Sequence, residues 1–111
     1  MEIKDKHVKD ITIVSISGSI DALTAPEISA HISGLISNGN IKLVADFGGV
    51  DYTSSAGLRV LLGAVKDTRS KGGDLFLVDV QPDVEKVLKM SGFTSIMKIF
   101  TSVDAAVDSF S

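Results

Sequence analysis

The side chains most capable of chemistry lie in one run, Asp46-Phe47-Gly48-Gly49-Val50-Asp51-Tyr52-Thr53-Ser54-Ser55-Ala56-Gly57-Leu58-Arg59. Three consecutive hydroxyls, Thr53, Ser54 and Ser55, stand just before an amphipathic helical pattern. A serine there can be a nucleophile, as in the G-x-S-x-G elbow. Here Thr53 replaces the first glycine of that elbow. His7 and His31 are the only histidines, and neither has a sequence context that sets it beside Ser55, so a Ser-His-Asp machine is not indicated. A hydroxyl at a helix start can instead accept a phosphoryl group, because the free N–H groups and the positive end of the dipole suit a phosphate. The plainest role is a third one, in which the Thr-Ser-Ser run only caps the helix. Residue types alone leave capping and phosphate acceptance both open.

Other chemistries find less support. Gly48-Gly49 and Gly72-Gly73 lack the Lys-Ser/Thr of a P-loop, and no G-x-G-x-x-G occurs. A phosphoacceptor aspartate of the receiver type would be Asp46 or Asp51, but no acidic pair follows the first central strand to hold Mg²⁺. Two distant histidines and scattered carboxylates do not make a metal site. No catalytic residue, cofactor or metal is expected.

The elements that must position the hydroxyl run follow from local pattern. Ile11–Ser17 is rich in β-branched residues and reads as a strand ending at Gly18, with Ile3–His7 pairing to it as a hairpin around Val8-Lys9-Asp10. Thr24-Ala25-Pro26-Glu27 has capping-box spacing and opens a helix with Ile28, Ile32, Leu35 and Ile36 on one stripe, ending near Asn38-Gly39. Ile41–Phe47 is an apolar central strand, and Gly48–Tyr52 reads as a turn. From Ser55 to Lys71 the helical stripe is Leu58, Leu61, Leu62 and Val65, stopped by Gly72-Gly73. Leu75–Val80 is a third buried strand, and Pro82 opens a helix with Val84, Val87 and Leu88 inward and Gly92 at its close. Ile96–Phe100 is a short strand, and Thr101-Ser102-Val103-Asp104 starts a last helix through about Ser109. Strands separated by helices need crossovers, so the predicted fold is α/β, one domain over residues 1–111. Its sheet should be mixed but mostly parallel, with four or five strands and about four helices chiefly on one face. On such a sheet Asp21 and Ser55 follow parallel strands and share one end.

Composition bounds the partners. The chain has 111 residues with Lys+Arg 11 against Asp+Glu 14, a net charge of -3, and no cysteine. That balance argues against a general nucleic-acid binder, which needs a basic face. The apolar runs fall far short of the ~20 residues that span a bilayer, and the N-terminus has no signal-peptide core. A cytoplasmic chain without direct membrane insertion is expected, as a monomer or weak dimer.

The run Thr53-Ser54-Ser55-Ala56-Gly57-Leu58-Arg59-Val60-Leu61-Leu62 resembles the signature of the STAS family, specifically the bacterial anti-sigma factor antagonists. Gly18-Ser19-Ile20-Asp21, Asp46-Phe47, Lys71-Gly72-Gly73-Asp74-Leu75 and Met90-Ser91-Gly92-Phe93 resemble further family elements in the same order. The resemblance implies a non-enzymatic switch. Unphosphorylated, it binds an anti-sigma factor that is itself a serine kinase, and so frees a sigma factor. The kinase phosphorylates a serine two residues before Gly-Leu, which is Ser55 here, and a PP2C-type phosphatase restores it. The family's common Asp before that serine is Ser54 in this chain, which makes Ser54 the alternative acceptor. The implied recognition surface comprises Asp21, Thr53, Ser54, Ser55, Ala56, Gly57 and Arg59. The competing role is a STAS domain that is never phosphorylated, a scaffold or a transport-system subunit.

Overall fold

A computed structural model describes all 111 residues. The elements run β1 (Glu2–Val8), β2 (Ile11–Ile20), α1 (Ala25–Ser37), β3 (Lys42–Thr53), α2 (Ser55–Ser70), β4 (Asp74–Val78), α3 (Pro82–Met90), a short 3-10 turn (Phe93–Ser95), β5 (Ile99–Phe100) and α4 (Val103–Ser109). The five strands lie in the order β1-β2-β3-β4-β5. β1 and β2 are the expected antiparallel hairpin, and every later neighbour is parallel.

Helices α1, α2 and α3 cover one face. Ile28, Ile32, Leu61, Val65, Val84 and Leu88 from these helices pack on Val14, Ile16, Leu43, Phe47, Leu75 and Leu77 of the sheet. On the other face α4 alone sits over Ile11, Ile13, Val44, Phe76 and Val78, through Ala106. The helices are therefore chiefly on one face, as the apolar stripes require.

Two strands are longer than local pattern predicts. Gly18 does not end β2. It takes φ +110°, open to glycine, and the chain stays paired through Ile20 with register shifts between Ser15 and Ser17 and between Gly18 and Ser19. Gly48–Tyr52 is not a turn but part of β3, held by the ladder Ser17 to Gly49, Gly18 to Val50, Ser19 to Tyr52 and Ile20 to Thr53. Because β4 stops pairing at Asp46 with Val78, the β2–β3 ribbon projects past the rest of the sheet.

Two strands are shorter than predicted. β4 ends at Val78 because Asp79 adopts φ +54°, outside strand geometry. β5 shrinks to Ile99–Phe100 because Phe93–Ser95 coils into the 3-10 turn and Met97 is drawn into the core. The last helix starts as expected, with Ser102 Oγ accepting the Ala105 N–H at 3.2 Å.

Leu61 is 2% exposed at the centre of the α2 interface. Truncating it removes packed methyl groups the surroundings cannot fully replace, so Leu61→Ala should lose about 2–5 kcal/mol in urea unfolding. A loss under about 0.5 kcal/mol would contradict its place in the core.

Candidate functional site

The hydroxyl run sits at the tip of the projecting ribbon. Ile20 and Thr53 are paired at the ends of β2 and β3, and the Ser54 N–H donates to the Ile20 carbonyl at 2.8 Å. That bond ties the start of α2 to the end of β2, so the β2–α1 loop and the first turn of α2 share one end of the sheet. Asp21 and Ser55 are thereby brought together, as parallel strands require.

Gly57 explains how closely α2 can approach. A Cβ there would meet the Thr53 hydroxyl oxygen and lie 2.6 Å from Cγ2 of Ile20. Thr53 is itself buried, with its hydroxyl donating to the Ser54 carbonyl at 3.3 Å.

The three hydroxyls thus have three different environments. Thr53 is internal. Ser54 is the N-cap residue in extended conformation, yet its side chain accepts no capping hydrogen bond. Its Oγ is sealed from solvent without any partner. Ser55, the first residue of α2, is exposed. The capping role therefore goes unfilled by the Thr-Ser-Ser run. α2 also has no acid in its first turn, whereas α1 has Glu27, α3 has Asp83 and Glu85, and α4 has Asp104. The first N–H groups of a helix lack intrahelical acceptors, so the N-terminus of α2 has neither a side-chain cap nor a first-turn acid of its own beside an accessible hydroxyl.

Across the ribbon, the predicted Thr24–Glu27 capping box does not form, because Thr24 sits in helical conformation and its side chain makes no cap bond. Asp21 takes over the work. Its Oδ1 accepts the N–H groups of Leu23 at 2.9 Å and Thr24 at 3.0 Å. The Thr24 hydroxyl accepts the Asp21 N–H at 2.9 Å and shares its own proton between the Ser19 carbonyl at 2.9 Å and Asp21 Oδ1 at 3.2 Å. These bonds stabilise the carboxylate, the Thr24 N–H first and then that of Leu23, and hold Asp21 below the usual carboxylate range. The locked loop holds up Leu23, which is 89% exposed. Tyr52, 53% exposed, projects from the same end of β3. Neither apolar residue belongs to the expected surface; the signal was an unpaired apolar side chain beside polar cap residues. Between α1 and α2 runs an open groove of about 430 Å³ in which Pro26 and Ser29 face Ala56, Arg59 and Val60.

The remaining candidates are elsewhere. The His31 Nε2 lies 2.8 and 2.9 Å from the two Asp5 carboxylate oxygens, joining α1 to β1. His7 Nδ1 is 3.1 Å from the Thr12 hydroxyl. Neither histidine engages Ser55. Asp46 accepts the Gly48 N–H at 2.9 Å and Asp51 accepts the Ser19 hydroxyl at 2.8 Å. No three potential metal ligands converge, and no helix is long and apolar enough to cross a membrane.

Two outcomes follow from this geometry. Gly57→Ala overpacks the ribbon tip and should cost about 1–3 kcal/mol in urea unfolding while leaving the remote pair His31–Asp5 intact by NMR. For Asp21, the lowered folded value means that its contribution is fully present above the ordinary aspartate value of about 3.9 and is lost as pH falls through the folded value. The Asp21 carboxyl carbon should therefore titrate below that ordinary value, with the Leu23 and Thr24 amides still protected near it. A midpoint at or above the ordinary value would show that these bonds do not form in solution.

Residues 2–106 match the family described as the STAS domain. The chain is 33% identical over 110 residues to BtrV of Bordetella bronchiseptica, a candidate anti-sigma factor antagonist, covering 99% of this chain and 95% of that protein. A candidate anti-sigma factor antagonist from Thermotoga maritima superposes with a TM-score of 0.92 at 23% identity, covering 96% of this chain and 92% of the other. The Bacillus cell fate determinant SpoIIAA, in its phosphorylated form, superposes with a TM-score of 0.76 at 20% identity, covering 99% of this chain and all 100% of SpoIIAA. The two structural likenesses bear on the fold alone.

Proposed function

Because the chain belongs to the STAS domain family, we propose that it is an anti-sigma factor antagonist whose switch is the Ser55 hydroxyl. Unmodified, the surface around Asp21, Leu23 and the start of α2 docks an anti-sigma factor serine kinase and releases a sigma factor. The kinase transfers the γ-phosphoryl group of ATP to Ser55 Oγ, the serine proton is lost and ADP leaves. A PP2C-type phosphatase returns the serine by hydrolysis to inorganic phosphate.

The observation that carries this reading is the contrast between neighbours. Ser55 is exposed on a helix end with neither acid nor side-chain cap, whereas the Ser54 oxygen is sealed away. The contrast supports Ser55 over Ser54 as the acceptor. It also fits a modification that leaves the fold in place, since a phosphate of about -1.5 to -2 charge at a helix N-terminus is favoured by about 0.3–1 kcal/mol.

The effect is then felt by the partner. Unit charges about 4 Å apart at an effective dielectric of 20 interact by about 4 kcal/mol, so against an acidic partner surface even half of that weakens binding roughly thirtyfold. Ser55→Asp should keep the wild-type circular dichroism spectrum and melting temperature but lose most of its affinity for the anti-sigma kinase in calorimetric titration. Ser55→Ala should bind and resist phosphorylation. Tight binding by Ser55→Asp, with phosphate mapping to Ser54 or Thr53, would move the switch to another hydroxyl. Absence of phosphate transfer from every anti-sigma kinase of the source organism would favour the unphosphorylated scaffold.

A further inference from the structure

Arg59 follows Ser55 by one helical turn. Residues at i and i+4 stack on one helix face, with Cβ atoms about 5–6 Å apart. Helical side chains lean back toward the N-terminus, so the longer member of such a pair overhangs the earlier residue. The orientation is the productive one here, with a long cation C-terminal to a short hydroxyl. Arg59 is exposed and enters none of the ion pairs of the structure. No acid lies between Asp51 and Asp67, and Asp67, two turns further along α2, is the one carboxylate lining a groove with Arg59.

We propose that a phosphate on Ser55 captures Arg59 as an intrahelical phosphate–guanidinium pair. This rests on Ser55 being the acceptor. The guanidinium fork matches phosphate oxygens bidentately, which a point charge does not. The Ser54 hydroxyl is sealed in and α2 offers no first-turn acid, so the phosphate meets the helix N–H groups on one side and Arg59 on the other. The modification then acts twice on the same surface: it adds an anion and withdraws the one cation that lines the α1–α2 groove.

The test uses the full chain with phosphoserine installed during translation at position 55, so that no kinase is needed. The second ionisation of the phosphate is followed by ³¹P NMR against pH, with circular dichroism confirming the fold. A nearby cation favours the dianion, so Arg59→Ala should raise the midpoint by about 0.3 pH units or more. Arg59→Lys should recover part of that shift, and Lys66→Ala should leave the midpoint in place. A midpoint that moves by less than about 0.1 units in Arg59→Ala, or that moves equally in Lys66→Ala, overturns the pair. If kinases never modify Ser55 the switch reading fails, and this titration still decides the pair.

Discussion

The site depends on one junction, the hydrogen bond from the Ser54 N–H to the Ile20 carbonyl, made where Gly57 lets α2 close onto Ile20 and Thr53. A helix normally begins where its first N–H groups find side-chain caps. Here the backbone of β2 takes the donor of the cap residue, and the Ser54 side chain, turned inward, does no capping. The next residue is thereby placed at the surface with the helix dipole behind it. Moving this junction one residue back would put Ser54 in the exposed position that Ser55 now holds.

The junction stands on the β2–β3 ribbon. Pairing continues beyond the last residue of β4, so Ile20 and Thr53 lie at a tip that α2, the Asp21 loop and the α1–α2 groove all reach. The ribbon is braced along its length rather than only at its end. Gln81 Nε2 donates to the Gly48 carbonyl at 2.9 Å, and Asp46 accepts the Gly48 N–H. The Asp21 bonds lock the loop opposite. Side-chain hydrogen bonds thus hold the tip from both sides.

Much of the architecture is legible in the sequence. Leu61 and Val65, Val84 and Leu88, and Ile28 and Ile32 occupy the faces their spacing requires, because an amphipathic stripe has one low-energy way to meet a sheet. Gly48–Tyr52 was misleading. Gly-Gly-Val-Asp carries turn propensity locally, but β2 lies alongside and supplies a ladder that outweighs it. The Thr24–Glu27 box failed for a similar reason. Asp21, three residues before Thr24, takes the Thr24 N–H that Glu27 would have accepted, with an ionised acceptor and a charge-assisted bond, while the Glu27 N–H turns to the Thr24 carbonyl at 3.1 Å.

By itself the sequence determined the α/β order, the inward faces of the helices and the presence of three hydroxyls at the start of α2. Those features depend on periodicity and on residues a few positions apart, which the chain carries locally. Tertiary structure decided which hydroxyl is accessible, how far the β2–β3 ribbon extends and that Leu23 is held up, exposed, at the end where Ser55 lies. Each of those depends on Ile20 meeting Thr53, Ser54 and Gly57 across more than thirty residues of chain. No local propensity encodes a contact at that separation; it exists only once β2 and β3 pair and α2 closes over them.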